Sequence, residues 1–332
     1  MKKSKKTEKR KKEHINIALK KSAQYKRSAG FENVDFVHCS LPEVDFSKIN
    51  LSMKFLGKWL RYPLMITAIT GGYTGGGHIN RKLAEIAEEN GLAFGIGSQR
   101  AMIENPEKKG TFAVRELAPS VPLVANIGAI QLKEYSLRQI EGLVSGIEAD
   151  ALAVHLNPLQ EAIQPEGDKD FSGVLRAIER LCSDIGVPVI VKETGAGMSA
   201  DVAFKLRDAG VKYLDVAGAG GTSWSRVEYS RKGPVKGFEE WGIPTVESIL
   251  MCKGILPLIG SGGVRNGIDA AKCIALGADL AGAAYPFLKA LNEKKLKKML
   301  DEWKMQMKMA AFLTGSKDYE GLKKAKMIFR KV

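Results

Sequence analysis

From residue 62 onward, short apolar runs of β type alternate with segments whose apolar residues recur every three or four positions. The runs are PLMITAI, LAFGIGS, VPLVANIGA, ADALAVHL, VPVIVKE, YLDVAGA, LPLIGSG and ADLAGAA. Between them stand HINRKLAEIAEENG, LKEYSLRQIEGLVSGI, FSGVLRAIERLCSDIG, SADVAFKLRDAG and NGIDAAKCIALGA, each with helical apolar spacing. The first of these ends on Gly91, a helix-stop signal. A strand before a helix, eight times over, predicts parallel strands, and eight such units close most simply into a (β/α)8 barrel. An open doubly wound sheet is the alternative, but no GxGxxG opens its first helix. Leu296, Met299, Leu300, Trp303 and Met307 then mark one face of a closing amphipathic helix. The expected organisation is an N-terminal extension, 1–61, followed by the barrel with its C-terminal helices, 62–332.

The formal charge of +14 invites a nucleic-acid reading, so its position matters. Residues 1–12 hold eight Lys/Arg against one Glu, and residues 289–332 hold thirteen against five acids. The central body is therefore close to neutral, unlike a fold with a basic groove across it, and no nucleic-acid partner is expected. No apolar run approaches the roughly 20 residues of a membrane helix, and the basic start lacks the apolar segment of a secretory signal. Cys39, Cys182, Cys252 and Cys273 have no CxxC spacing and read as reduced packing residues of a cytoplasmic protein.

Chemistry in such barrels sits at the C-terminal strand ends. The seventh run ends GSGGVRNG (Gly260–Gly267) and the eighth GAAYPF (Gly282–Phe287). Glycines there let backbone approach an anion, and the following helix start offers N–H groups to a phosphate. The fifth ends VIVKETG, which puts Lys192 at the mouth. An interior lysine needs an anion, whether a substrate phosphate, a Schiff-base carbonyl or the N1 of a reduced flavin. Glu193 is a poor candidate, because adjacent strand residues point opposite ways. Thr222 and Ser223 end the sixth, Thr70 the first, Ser98 and Arg100 the second, and Asn126 the third. Hydroxyls, amides and one lysine around a phosphate niche suit a polar planar ring. The fourth end, HLNPLQEAIQPEGD (His155–Asp168), concentrates polar groups, and Glu161 is a hard oxygen ligand of the kind that holds Mg2+ together with substrate phosphates. Upstream, KRKKEHI (Lys9–Ile15) can clamp a diphosphate through Arg10, whereas residues 1–8 read as a disordered tail.

Together these motifs resemble the type 2, flavin-dependent isopentenyl diphosphate isomerases. The resemblance covers nearly the whole chain, from RKKEHI through TGG, GSQR, HLNPLQE, QPEGD, VKETGAG and GGTSW to GSGGVRNGIDAAKCIALGA. HLNPLQE with QPEGD is its most specific part, while the last motif is common to many FMN barrels. Ile69 departs from the family, which often has Met before Thr-Gly-Gly; a backbone contact there would be little affected. The resemblance implies FMN against Ala68, Ile69 and Thr70, contacted by Ser98, Asn126, Lys192 and Thr222. Its phosphate would meet Gly262, Gly263, Val264, Ala284 and Tyr285. A substrate diphosphate would meet Arg10, Lys11, Ser98, Gln99 and Arg100, with Gln160 nearby, Glu161 holding Mg2+, and His155 and Asn157 in support. Lys192, Gln160 and Glu161 would carry the catalysis.

The implied reaction moves the double bond of isopentenyl diphosphate to give dimethylallyl diphosphate, reversibly, on reduced FMN, with NADPH serving only as reductant. A homotetramer or homo-octamer is implied as well. The nearest rival is an FMN-dependent 2-hydroxyacid oxidase or dehydrogenase on the same barrel. That chemistry needs a histidine base after the later strands. All four histidines (His14, His38, His78, His155) lie in the first half.

Overall fold

In a computed structural model that describes residues 2–330, every apolar run contains one barrel strand. These are β1 (Leu64–Ile66), β2 (Ala93–Gly95), β3 (Leu123–Gly128), β4 (Ala151–His155), β5 (Val189–Lys192), β6 (Tyr213–Asp215), β7 (Leu258–Ser261) and β8 (Leu280–Ala283). All pair in parallel and close in the order β7-β8-β1-β2-β3-β4-β5-β6. The strands are short and almost wholly buried, as expected where helices cover the outside and side chains fill the inside.

Helix α1 (Lys2–Ala18) precedes the barrel. Around it run α2 (Thr74–Asn90), α3 (Arg100–Glu104), α4 (Leu137–Ser145), α5 (Pro158–Ile163), α6 (Val174–Asp184) and α7 (Ala200–Asp208). They are followed by α8 (Trp224–Ser230), α9 (Thr245–Cys252), α10 (Gly267–Leu276), α11 (Tyr285–Asn292), α12 (Leu296–Leu313) and α13 (Tyr319–Lys323). Gly91 ends α2 in the left-handed region, its N–H on the carbonyls of Ala87 and Glu88. The α2 helix starts at Thr74, earlier than the apolar pattern suggests. Its glycine run is kept for close packing, since a Cβ on Gly77 would lie 3.2 Å from the Thr111 backbone. In α12, Leu296, Leu300, Trp303 and Met307 are buried and Met299 is half-buried; Trp303 meets Phe287 of α11 edge-on.

The extension wraps the barrel from mouth to base. A disordered tail is the sequence expectation for residues 1–8, yet α1 begins at Lys2. Lys, Arg and Glu are good helix formers, and Glu8 pairs with Lys108 at 3.0 Å. After α1, Tyr25 N–H donates to Gly221 O and Ser223 N–H to Ala23 O, fastening the chain to the loop after β6. Strand Val34–Phe36 pairs with Met327–Phe329 on the outside. Hairpin Met53–Phe55/Lys58–Leu60 then closes the base, with Phe55 edge-on to Tyr213 at the start of β6.

Candidate active site

One cavity of about 260 Å3 opens at the C-terminal mouth. The residues after all eight strands line it, and α1 lies across it, contributing Arg10, Lys11, His14, Ile15 and Ala18.

Its β7–β8 side is a cradle of backbone. Gly262 and Gly263 have φ of +100° and +67°, the region that favours glycine. A Cβ on Gly262 would fall 2.1 Å from Gly218 O, and one on Gly221 would fall 2.6 Å from Gly263 N. Among the described residues, no acceptor takes the N–H groups of Gly262, Gly263, Val264, Ala284 or Tyr285, all of which line the cavity. Convergent free N–H groups beside the start of α11 are an anion site, and they fit the phosphate of FMN. Arg265 stacks 4.8 Å over Tyr285 at this edge and donates to Gln24 at 2.6 Å; Gln24 in turn donates to Thr222 Oγ1 at 3.2 Å.

Across the mouth, after β2 to β4, the cavity is cationic. Arg10 and Arg100 repel one another; burial first, then Arg100, lowers the Arg10 pKa. Lys11 Nζ donates to Ser98 O at 2.6 Å, and burial with Arg10 nearby brings its pKa down to about 7. Glu161 faces these cations. Asn157 Nδ2 at 3.0 Å, Gln164 Nε2 at 3.4 Å and the Asp168 N–H at 2.9 Å hold its carboxylate. Among the described residues no three acidic, His or Cys side chains cluster as a metal cage. A single carboxylate set in neutral amides suits Mg2+, which takes its remaining ligands from water and phosphate.

Behind Glu161 lies a buried hub. Glu228, fully buried, accepts from Gln160 Nε2 at 2.9 Å and Arg231 Nη1 at 2.6 Å, and lies 2.9 Å from His14 Nε2. Burial pushes its carboxyl up, but His14, Gln160 and Arg231 outweigh that and hold it below the usual range. Arg231 also meets Glu166 at 2.9 Å and Glu13 of α1 at 3.1 Å. The hub therefore joins α1, the β4 loop and α8.

Lys192 stands at the end of β5, in register with His155 of β4 and Asp215 of β6. Its ammonium donates to Glu193 O, while the Glu193 carboxylate turns to the N–H groups of Thr194, Gly195 and Ala196. His155 Nδ1 lies 2.8 Å from Asn126 Oδ1, an arrangement that makes Nδ1 the protonated nitrogen. Burial, with Lys192 and Lys11 close by, lowers the His155 pKa to about 3, so the ring is neutral.

The cavity brings together the site residues proposed from sequence except Gln99 and Ser223, the latter buried with its hydroxyl on Glu239 O and capping α8. Gln99 is fully buried and turned into the wall: its amide donates to Leu143 O at 3.1 Å and accepts from Asn126 N at 2.9 Å. It shapes the β3 end and does not reach the cavity, because its neighbours Ser98 and Arg100 occupy the mouth. The sequence reading missed His14, Gln24, Trp224, Glu228, Arg231 and Arg265. Two signals were available: His14 follows Arg10 by one helical turn, and Glu228 precedes Arg231 by three residues in a polar helix end.

A family model described as FMN-dependent dehydrogenase matches residues 155–329. The isopentenyl-diphosphate delta-isomerase of Pyrococcus furiosus is 46% identical, the match covering 96% of this chain and 86% of that one. Those of Methanosarcina barkeri and a Nostoc species are 45% and 46% identical, over 97% and 96% of this chain and 92% and 94% of their own. Among solved structures, a mandelate oxidase with (S)-mandelic acid superposes with TM-score 0.67 at 14% identity, covering 96% of this chain and 95% of that one, a likeness of fold alone. On the identity and coverage of those relatives, the chain belongs to the family of type 2, FMN-dependent isopentenyl-diphosphate delta-isomerases.

Proposed function

We propose that the protein interconverts isopentenyl and dimethylallyl diphosphate by a 1,3-proton transfer that uses reduced FMN and Mg2+, with NADPH keeping the flavin reduced. The observation that carries this reading is a single mouth with an anion cradle on its β7–β8 side and a cation cluster with Glu161 on the opposite side.

Gly262, Gly263, Val264, Ala284 and Tyr285 would hold the FMN phosphate, with Ala68, Ile69, Thr70, Asn126, Lys192 and Thr222 around the ring. When bound, reduced FMN supplies an electron-rich face that favours developing positive charge, and a group able to give and take a proton. The chain does the rest. Arg10, Lys11 and Arg100 anchor the diphosphate, and Glu161 would hold Mg2+ against it, matching its charge and fixing the carbon chain in the mouth. One proton is added at the terminal methylene and one is removed from the carbon next to the oxygen-bearing carbon, so atoms and electrons balance without net oxidation. Gln160 gives its amide N–H to Glu228, which turns its carbonyl toward Asn157. Neutral His155 does not compete with Lys192 as a cation. Ile15 and Ala18 of α1 roof the site with apolar groups, and excluding water strengthens every charge interaction beneath them.

The same reading carries a homotetramer or homo-octamer in the cytoplasm. Exposed Met305, Met309 and Leu313 on the outer face of α12 support self-association. No helix among the described residues is long and apolar enough to cross a membrane. The test is an anaerobic assay with isopentenyl diphosphate, FMN, NADPH and Mg2+, run with and without the reductant. Turnover should depend on reduction; full activity with oxidised FMN and no reductant refutes the scheme.

A further inference from the structure

A buried carboxylate inside the barrel has no part in the steps above. Asp215 ends β6, is 2% exposed and shares a register level with Lys192 on the neighbouring strand. Residues paired in register point to the same face of a sheet, so both side chains enter the barrel. One oxygen, Oδ1, is fixed by donors: the hydroxyl of Ser261 on β7, and Ala217 N–H at 3.2 Å. Among the described residues no donor meets Oδ2. A separate void of about 10 Å3, lined by Asp215, Lys192, Asn126 and Thr67 among apolar neighbours, lies beside them. That is close to the space one water needs, and such a site must offer two to four polar partners, which it does.

Two hydrogen-bond donors on a buried carboxylate favour its ionised form. Burial raises the Asp215 carboxyl above its usual range, and Lys192 is the largest influence opposing that. Asp215 is thus the acidic side chain paired in register with Lys192, whereas His155, on the other neighbouring strand, is neutral. An uncompensated ammonium here would face a steep desolvation cost. Asp215 itself does not line the mouth, so it could act there only through Lys192.

We propose that Asp215 is a positioning residue for Lys192, directing its amine group at the mouth through one water between Oδ2 and Nζ. The link to catalysis rests on the reading that the mouth takes a reduced flavin; the link between the two side chains does not.

The first experiment therefore uses flavin-free protein. Site-resolved acylation of Lys192 by acetic anhydride, read by peptide mass spectrometry at pH 8, should be several-fold faster in Asp215→Asn, because the amine is released from its water-bridged partner. Exposed Lys82 serves as the internal control and should not change. Ser261→Ala, which keeps the charge but frees Oδ1, should accelerate Lys192 less. An unchanged Lys192 rate in both variants overturns the proposal, as does a crystal structure with the void dry. Should Asp215→Asn not fold, the Ser261→Ala rate decides alone.

With FMN and isopentenyl diphosphate, Asp215→Asn should lose at least tenfold in kcat with KM unchanged, since Asp215 meets no diphosphate group. A kcat unchanged in Asp215→Asn would show that Asp215 does not act through Lys192. If the wild-type protein neither binds FMN nor isomerises the substrate, the functional reading fails while the acylation result still stands or falls separately.

Discussion

Arg231→Ala removes a guanidinium that meets three carboxylates, at 3.1 Å for Glu13, 2.9 Å for Glu166 and 2.6 Å for Glu228. The first two are partly solvated and lose little, since exposed pairs are worth about 0–1 kcal/mol. Glu228 is different. It is fully buried, and taking one partner from a buried ion pair costs roughly 3–5 kcal/mol, because a charge is left behind. Gln160 and His14 remain on it, so the lower end, about 3 kcal/mol, is expected. The pH dependence fixes the cause. In the wild type the Glu228 carboxyl lies below its ordinary range. It therefore adds stability above the unfolded value of about 4.3, lost as pH falls through the depressed folded value. In the variant, burial dominates and the folded pKa rises above the unfolded one. The penalty is then fully present at pH 8 and fades as Glu228 takes up a proton on acidification. Urea unfolding of flavin-free protein, followed by circular dichroism, should show a wide stability gap at pH 8 and a narrower one at pH 5. A gap equal at both pH values, or smaller than about 1 kcal/mol at pH 8, would refute the idea that Arg231 pairs a buried charge.

Other outcomes follow from the same site. Lys192→Ala and Glu161→Gln should each abolish isomerase turnover with the far-ultraviolet dichroism unchanged; retained turnover in either removes that residue from the chemistry. Gly262→Ala, at φ +100° with its new Cβ 2.1 Å from Gly218 O, should weaken FMN binding at least tenfold in a flavin-fluorescence titration. With a Lys11 pKa of about 7 in the ligand-free protein, KM for the diphosphate should rise as pH climbs through that value and the ammonium is lost. Lys11→Arg, always charged, should flatten that rise in steady-state kinetics between pH 6 and 9.

The barrel was legible because its strands are buried on both faces and so read as continuous apolar runs. The strand-end residues were legible for a related reason: a lysine or glutamate at the end of such a run has few places to go other than the mouth. Gln99 shows where that logic stops. Ser98, Gln99 and Arg100 all follow β2, and the apolar pattern alone does not say which of three polar neighbours turns inward. The Asn126 N–H and the Leu143 carbonyl decide it, and both come from distant sequence. The helical start of α1 was hidden by its composition, since a lysine-rich segment resembles a solvated tail until a partner such as Lys108 for Glu8 is in place. Glu228 and Arg231 look like ordinary surface residues of a short helix. Their burial arises only because α1 and the β4 loop fold over them.

The fold likeness to mandelate oxidase makes a separate point about where function resides. At 14% identity the fold persists, so the fold by itself does not fix the chemistry. Oxidising a 2-hydroxyacid calls for a histidine base near the late strand ends; here the loops after β6 and β7 carry Thr222, Ser223 and Arg265, with no histidine. The charged apparatus sits instead on the opposite side, and a large share of it is imported: Arg10, Lys11 and His14 come from a helix outside the eight repeats, fastened by Glu13–Arg231 and Glu8–Lys108. Removing residues 1–18 should therefore leave a barrel that still binds FMN but has lost its grip on the diphosphate. Flavin titration and pyrophosphate binding by calorimetry would separate the two. If the truncated chain still bound pyrophosphate with wild-type affinity, the recognition would have to lie in Arg100 and the β4 loop, and α1 would be only a cover.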